Sequence, residues 1–238
     1  MNPVLNDKTF GNSNIRSFST EVMTKNGVIH KSIFLWAILA LGAYIGWMKP
    51  NMIAPFLMPA ILVAFGLAIL TTFKKHLSAF TSPIYAFLEG LFMGTITLFF
   101  EKEYPGIAVN AVFLTISVLF CMLAAFKAGF IKATNKFKAI IGVSTLAIAL
   151  LYLVDILINM FGGVGFPFIT SSGPMGILFS IFVVLIAAFN LIIDFDFIQK
   201  GIAIGAPKYM EWYGAFALMV TIIWLYIEIL RLLSKLRR

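Results

Sequence analysis

Seven long apolar segments constrain this chain more than any other feature of its sequence. A helix needs about 20 apolar residues to cross the hydrocarbon core of a bilayer. Segments of that length lie at roughly 31–48, 52–73, 80–100, 106–126, 139–161, 174–198 and 212–233. Stretches such as Ile61–Leu70 are apolar on every face and have no polar side to turn toward water. Runs this long do not alternate with period two, which favours helices over the strands of a membrane barrel.

The sequence therefore predicts an all-α integral membrane protein, a bundle of about seven transmembrane helices. Only 12% of the 238 residues are charged, whereas a soluble domain usually has about 25%. The predicted organisation is a polar N-terminal segment at 1–30, a seven-helix domain at 31–233 and a basic tail at 234–238. Residues 1–28 lack the apolar run of a signal peptide, so we expect the first span to act as an uncleaved insertion signal.

The net charge of +8 is distributed as in a membrane protein and not as in a nucleic-acid-binding one. Most of the loop cations lie at 74–79, 127–138 and 200–210, and cytoplasmic loops carry such an excess. These loops and the N-terminus are predicted to be cytoplasmic. Seven crossings then place the basic tail Arg231–Arg238 outside, against the same rule. Either the tail breaks the rule or one of the last two segments does not cross completely.

Ionisable side chains inside the apolar segments are the candidate functional residues, because each is costly at bilayer depth unless it is paired or solvated. They are Glu89, Asp155, Asp194, Asp196 and Glu228. No cation lies within about one helical turn of Glu89 or Asp194, which favours a functional role for both. Burial favours the protonated form of a carboxylate, so such residues could sense pH or pass cations.

Structural roles are the alternative for the other three carboxylates. Asp196 precedes Lys200 by one helical turn, and Glu228 precedes Arg231 by three residues, so both could form ordinary ion pairs. Asp155 could be a hydrogen-bonding group that faces the outer loop. Asn190 and Asp194 share one helix face, which favours Asp194 over Asp196 as a buried site.

The sequence gives no sign of an enzyme or of a resident cofactor. The two histidines, His30 and His76, are far apart, and the single cysteine, Cys121, lies inside an apolar span. No cluster with metal-ligand spacing and no hydrolase motif is present. Asp155 and Asp194 could form an intramembrane aspartyl protease, but their flanking residues do not support one.

Three stretches carry a resemblance to a known family: Phe87–Gly94 in the third span, Phe189–Gln199 at the end of the sixth, and Glu211–Leu233. With the N-terminal Asn2-Pro3-Val4-Leu5, they resemble the Bax inhibitor 1 family, particularly its bacterial branch. The resemblance implies a multi-pass protein of the bacterial inner membrane whose last helix is surrounded by the other six. It also implies a pH-sensitive calcium leak governed by two aspartates, in the sixth and seventh spans.

Carried onto this sequence, the resemblance places the first aspartate at Asp194. Asp194, alone or together with Asp196, is the candidate metal-binding site. Thr221, or a neighbouring residue, stands where the second aspartate belongs. The resemblance therefore predicts a cation leak gated by protonation of intramembrane carboxylates, with calcium as the transported ion. The expected partners are the lipid bilayer and cations, and not nucleic acid. The residues proposed to contribute oxygen atoms or charge are Asp194, Asp196, Glu89, Glu228, Asn190, Thr221, Asp155 and Arg231.

A second hypothesis is a non-conducting regulator that binds another membrane protein, such as a protease or a stress-response partner. It would use its helices or its polar N-terminal residues for that contact.

Overall fold

The computed structural model describes residues 21–238, and this range folds as an all-α membrane bundle, which confirms the predicted fold class. Seven of its helices are long and apolar enough to cross a membrane. A 3-10 turn at Lys75–Leu77 precedes the third, and a single helical turn at Pro167–Thr170 precedes the sixth. The seven are α1 (Lys25–Met48), α2 (Pro50–Phe73), α3 (Ser78–Glu103), α4 (Ile107–Lys127), α5 (Asn135–Met160), α6 (Pro174–Ala203) and α7 (Met210–Arg237).

Helix α1 begins at Lys25, earlier than the start predicted near residue 31, because Thr24 caps it. Thr24 has an extended backbone, and its hydroxyl accepts a hydrogen bond from the Gly27 backbone N–H at 3.0 Å. Such a cap satisfies one of the unpaired N–H groups of the first helical turn. The helix thus includes polar residues that hydropathy assigns to the preceding segment. Residues 1–20, which include the Asn2–Leu5 motif, lie outside the described range.

The described chain divides into two compact units. The first unit comprises residues 21–103 and Asp196–Val220, and the second comprises Tyr104–Phe195 and Thr221–Arg238. Helix α6 and helix α7 each contribute residues to both units. These two are also the most buried helices, with 56% of the most apolar stretch of each buried, against 6% for α2. The central position of α7 stays a prediction.

In the first unit, α1 packs against α3 through glycines that bring the two backbones together. A Cβ atom at Gly90 would lie 2.3 Å from the Leu39 carbonyl oxygen, and one at Gly94 would lie 2.0 Å from that of Ala43. In these contacts the residue that is four positions later in α3 meets the residue that is four positions later in α1, so the two helices run parallel. Membrane helices associate through small residues of this kind because close approach increases van der Waals contact.

The glycine contact can be tested by comparing two alanine substitutions. Gly94→Ala is expected to lower the free energy of unfolding by about 1–3 kcal/mol, because its methyl group must push α1 away from α3. Gly66→Ala in α2 is the control, since a Cβ atom there meets nothing within 4 Å. Thermal unfolding in detergent micelles measures the difference. Equal melting temperatures for the two variants would contradict the close packing.

In the second unit, α5 and α6 run antiparallel and form an apolar core. Ile141 and Ile148 of α5 pack with Val183 and Ile186 of α6. Aromatic pairs lie along the same interface, with Phe137 against Phe189 and Tyr152 against Phe179, both edge to face. These contacts hold the polar groups of α5 and α6 in register.

The basic tail continues α7 as helix, and its cations bind carbonyl groups of the second unit. The buried Lys235 ammonium donates to the Gly176 carbonyl at 3.0 Å. The Arg237 guanidinium donates to the carbonyls of Tyr104 and Pro105 at 3.3 and 2.7 Å. Within the second unit, the tail therefore lies at the same end as the turn before α4 and the start of α6. This position fits seven complete crossings. It also gives the tail cations a structural role, which the rule that lysine and arginine mark cytoplasmic loops does not take into account.

The resulting topology predicts which residues share one side of the membrane. After Cys121→Ser, cysteines placed at Ser172 and Arg238 are expected to react with a membrane-impermeant maleimide in intact cells. A cysteine at Lys132, in the loop before α5, should react only after lysis, because basic loops remain cytoplasmic. An odd number of crossings between residues 132 and 238 places these two positions on opposite sides of the membrane. If Lys132→Cys and Arg238→Cys both react in intact cells, or both react only after lysis, that number is wrong.

Candidate functional site: buried carboxylates

Two of the predicted carboxylates, Asp194 and Glu228, are completely buried in the second unit. Asp194 of α6 is 0% exposed and Glu228 of α7 is 1% exposed. Both belong to helices that are long and apolar enough to cross a membrane. Carboxylates buried in hydrocarbon are rare, and they mark ion or proton pathways in membrane proteins. These two residues are the centre of the candidate site.

Glu228 is held by a phenol and a guanidinium. The Tyr152 hydroxyl of α5 donates to Oε2 at 3.0 Å, and Arg231 Nη1 donates to Oε1 at 3.4 Å. The Arg231 guanidinium also lies 4.8 Å from the centre of the Tyr152 ring, a cation–π contact. The ion pair that spacing suggested for Glu228 is thus present. The sequence did not reveal Tyr152 as the third member, because it lies 76 residues away.

Asp194 follows Asn190 on the same face of α6, as predicted. The Asn190 side-chain amide donates to Thr145 Oγ1 of α5 at 2.8 Å and to the Ile186 carbonyl at 2.9 Å. Asn190 is 1% exposed, as is Thr221 of α7, which lies at or next to the position where the family resemblance expects an aspartate. The second unit therefore contains buried neutral oxygen atoms as well as buried carboxylates.

Asp155 contacts the loop that precedes α6. Its Oδ1 accepts a hydrogen bond from the Phe166 backbone N–H at 2.6 Å, and its Oδ2 accepts one from the Asn159 amide at 3.3 Å. A Cβ atom at Gly165 would lie 2.3 Å from Oδ1, so the loop backbone lies directly against the carboxylate. These contacts match the loop-facing alternative for Asp155.

Glu89 and Asp196 belong to the first unit. Glu89 is half-buried on α3, where the Tyr85 hydroxyl hydrogen-bonds to it. The Tyr85 ring packs edge to face against Phe216, with 5.1 Å between ring centroids. Asp196 pairs with Lys200 at 3.0 Å, the interfacial pairing that their spacing suggested. Within residues 21–238, no group of three or more histidine, cysteine or acidic side chains could hold a metal ion.

A buried carboxylate that sequence reasoning missed, Glu211, joins the start of α7 to the start of α1. Glu211 is 1% exposed and accepts hydrogen bonds from Thr24 N at 2.8 Å and Thr24 Oγ1 at 2.9 Å. It also forms an ion pair with Lys31. A Cβ atom at Gly27 would lie 2.1 Å from its Oε1, so a larger residue there would displace the carboxylate. Two sequence features could have indicated this contact. Glu211 is an acidic residue in the first turn of an apolar helix, and Lys31 is a lysine inside another.

Comparison with known proteins identifies the family. A family model described as Bax inhibitor 1 like matches residues 2–238. The chain belongs to the Bax inhibitor 1 like family. Comparison with curated proteins and with solved structures gives no match. The match confirms the family resemblance, and it covers essentially the whole chain.

The cluster of Glu228, Tyr152 and Arg231 is expected to stabilise the second unit through the ion pair between Glu228 and Arg231. Arg231→Met should lower the free energy of unfolding by about 2–3 kcal/mol, because it leaves a buried carboxylate without its charged donor. The double variant Glu228→Gln/Arg231→Met should regain part of that loss, since no uncompensated charge remains. Chemical or thermal unfolding in micelles measures both variants.

Lys200→Met is the matched control for the Arg231 variant. The Lys200 side chain is 48% exposed, and exposed pairs contribute about 0–1 kcal/mol. If Arg231→Met destabilises no more than Lys200→Met, the buried cluster is not a stabilising element.

Proposed function

We propose that this Bax inhibitor 1 like protein is a pH-sensitive cation leak channel, with calcium as the transported ion and intramembrane carboxylates as its gate. The observation that carries the proposal is the burial of Asp194 and Glu228 within one unit of a multi-pass membrane protein. A carboxylate in a medium of low polarity changes its charge when it binds a proton, and a cation can compensate the same charge.

Oxygen chemistry supports calcium as the cargo. Calcium binds carboxylate, amide and hydroxyl oxygens in flexible arrangements, and the second unit buries all three kinds at Asp194, Asn190 and Thr221. Asp194 is the residue we assign to ion contact. Glu228 is assigned to charge balance, because Tyr152 and Arg231 already bind its two oxygens. Asp196 is less suited to ion contact, since its charge is already paired with that of Lys200.

Calcium flux into liposomes that contain the purified protein tests the proposal. Asp194→Asn is expected to lower the flux roughly tenfold and to flatten its pH dependence, because a contact with a charged group is worth about 1.5–3 kcal/mol. Asp196→Asn is the matched control and should have a smaller effect, since its charge is already paired. Flux and pH dependence that survive Asp194→Asn unchanged would refute the assignment.

A second candidate function, a non-conducting regulator that binds another membrane protein, is favoured by the exposure of α2. Only 6% of its most apolar stretch is buried, which leaves a long apolar helix face for another membrane protein. This hypothesis predicts no calcium flux and a loss of function when residues 1–20 are deleted. The deletion must stop there, because Met23 and Thr24 bind Ala206 and Glu211 and belong to the folded unit.

A further inference from the structure

An open cleft of about 840 Å³ lies in the first unit, between the start of α1 and the start of α7. Its volume falls in the range of small-molecule sites. Two kinds of side chain line it. One wall is aromatic, where Phe34 packs edge to face on Trp212 with 5.8 Å between ring centroids. The rest is polar and includes Asn26, His30 and Lys208.

The charged groups of the cleft balance one another. Its lining contains two lysines, Lys31 and Lys208, and two carboxylates, Glu21 and Glu211. The Lys31–Glu211 pair is largely buried, whereas Lys208 and Glu21 are 49% and 64% exposed. Hydrogen bonding to Glu21 raises the pKa of Lys208, which keeps that lysine charged. An exposed pair of this kind contributes little to stability, so a ligand with both a negative and a positive group can insert into it.

Free hydrogen-bonding groups point to the negative group of such a ligand. Asn26 and His30 are exposed and lie one turn apart on α1. Neither side chain has a hydrogen-bond or ion-pair partner within residues 21–238, and both side chains line the cleft. An amide and an imidazole each offer an N–H donor to a phosphate oxygen. Lys208 adds a charged donor, and donors of that kind form the stronger hydrogen bonds to phosphate.

The position of the cleft points to a lipid. Phe34 is 51% exposed and Ile33 is 62% exposed, so the α1 surface next to the cleft is apolar. Tryptophan is enriched where a membrane protein meets the headgroup layer, and Trp212 lies at the start of a spanning helix. The cleft thus offers a polar end for a headgroup and an apolar continuation for acyl chains.

We propose that this cleft binds a phospholipid with a zwitterionic phosphate–ammonium headgroup. Asn26, His30 and Lys208 would bind the phosphate, and Glu21 would bind the ammonium. The balanced charge of the lining favours this headgroup over an anionic one. The cleft lining includes neither Asp194 nor Glu228, and the proposal does not depend on the proposed ion leak.

Lipid retention by the full chain tests the proposal. The purified protein is placed in nanodiscs of equal amounts of phosphatidylethanolamine and phosphatidylglycerol, released, and analysed by native mass spectrometry. The wild type should retain phosphatidylethanolamine in excess. Glu21→Gln should lower the ratio of the two retained lipids about fivefold, which corresponds to about 1 kcal/mol per charge near a headgroup surface. The double variant Asn26→Leu/His30→Leu should retain less of both lipids.

Glu103→Gln is the matched control, because that carboxylate is exposed at the end of α3 that lies away from Thr24. Equal lipid ratios for Glu21→Gln and Glu103→Gln would overturn the proposal. So would retention of soluble phosphoethanolamine as strong as that of the lipid, which would indicate a headgroup site without a lipid. A gain of lipid on deletion of residues 1–20 would mean that the chain's own segment occupies the cleft, and it would also overturn the proposal.

Discussion

The interior of a bilayer supplies neither water nor counter-ions, so a charge placed there must find its compensation within the protein. Burial within the protein imposes the same requirement, and three buried charged side chains on α7 meet it, one near its start, one within its span and one near its end. Glu211 binds the Thr24 cap and Lys31, Glu228 binds Tyr152 and Arg231, and Lys235 binds the Gly176 carbonyl. Apart from the Glu228–Arg231 pair within α7, these contacts join α7 to the start of α1, to α5 and to the start of α6. The burial of charge thus also fixes where the last helix lies within each unit.

The same constraint explains why the fold class could be predicted from the sequence. Helices that satisfy their own backbone in hydrocarbon must be long and apolar, and that pattern is visible without any tertiary information. All seven predicted segments correspond to helices. The boundaries shifted where polar side chains satisfied backbone groups, as at Thr24, or where charged residues continued a helix, as at Arg237. Hydropathy alone does not register either effect.

The candidate site was predictable only in part. A carboxylate in an apolar segment is conspicuous, so Asp194 and Glu228 could be selected from sequence, and spacing suggested the partners of Glu228 and Asp196 on their own helices. Partners on other helices could not be found this way, because contacts such as Tyr152–Glu228 depend on how helices pack. Glu211 was missed for the same reason. Its significance depends on Thr24 and Lys31, which lie 187 and 180 residues away.

The parallel pairing of α1 with α3 has a consequence for how the protein is made. During synthesis α1 reaches the membrane before α3 has been made, and α2 enters the membrane after α1 and before α3. The glycine-rich face of α1, with Gly42 and Gly46, therefore faces lipid or the insertion machinery until the third helix arrives. Entry of α1 must depend on its own hydrophobicity, and close packing comes afterwards, as a separate stage of assembly.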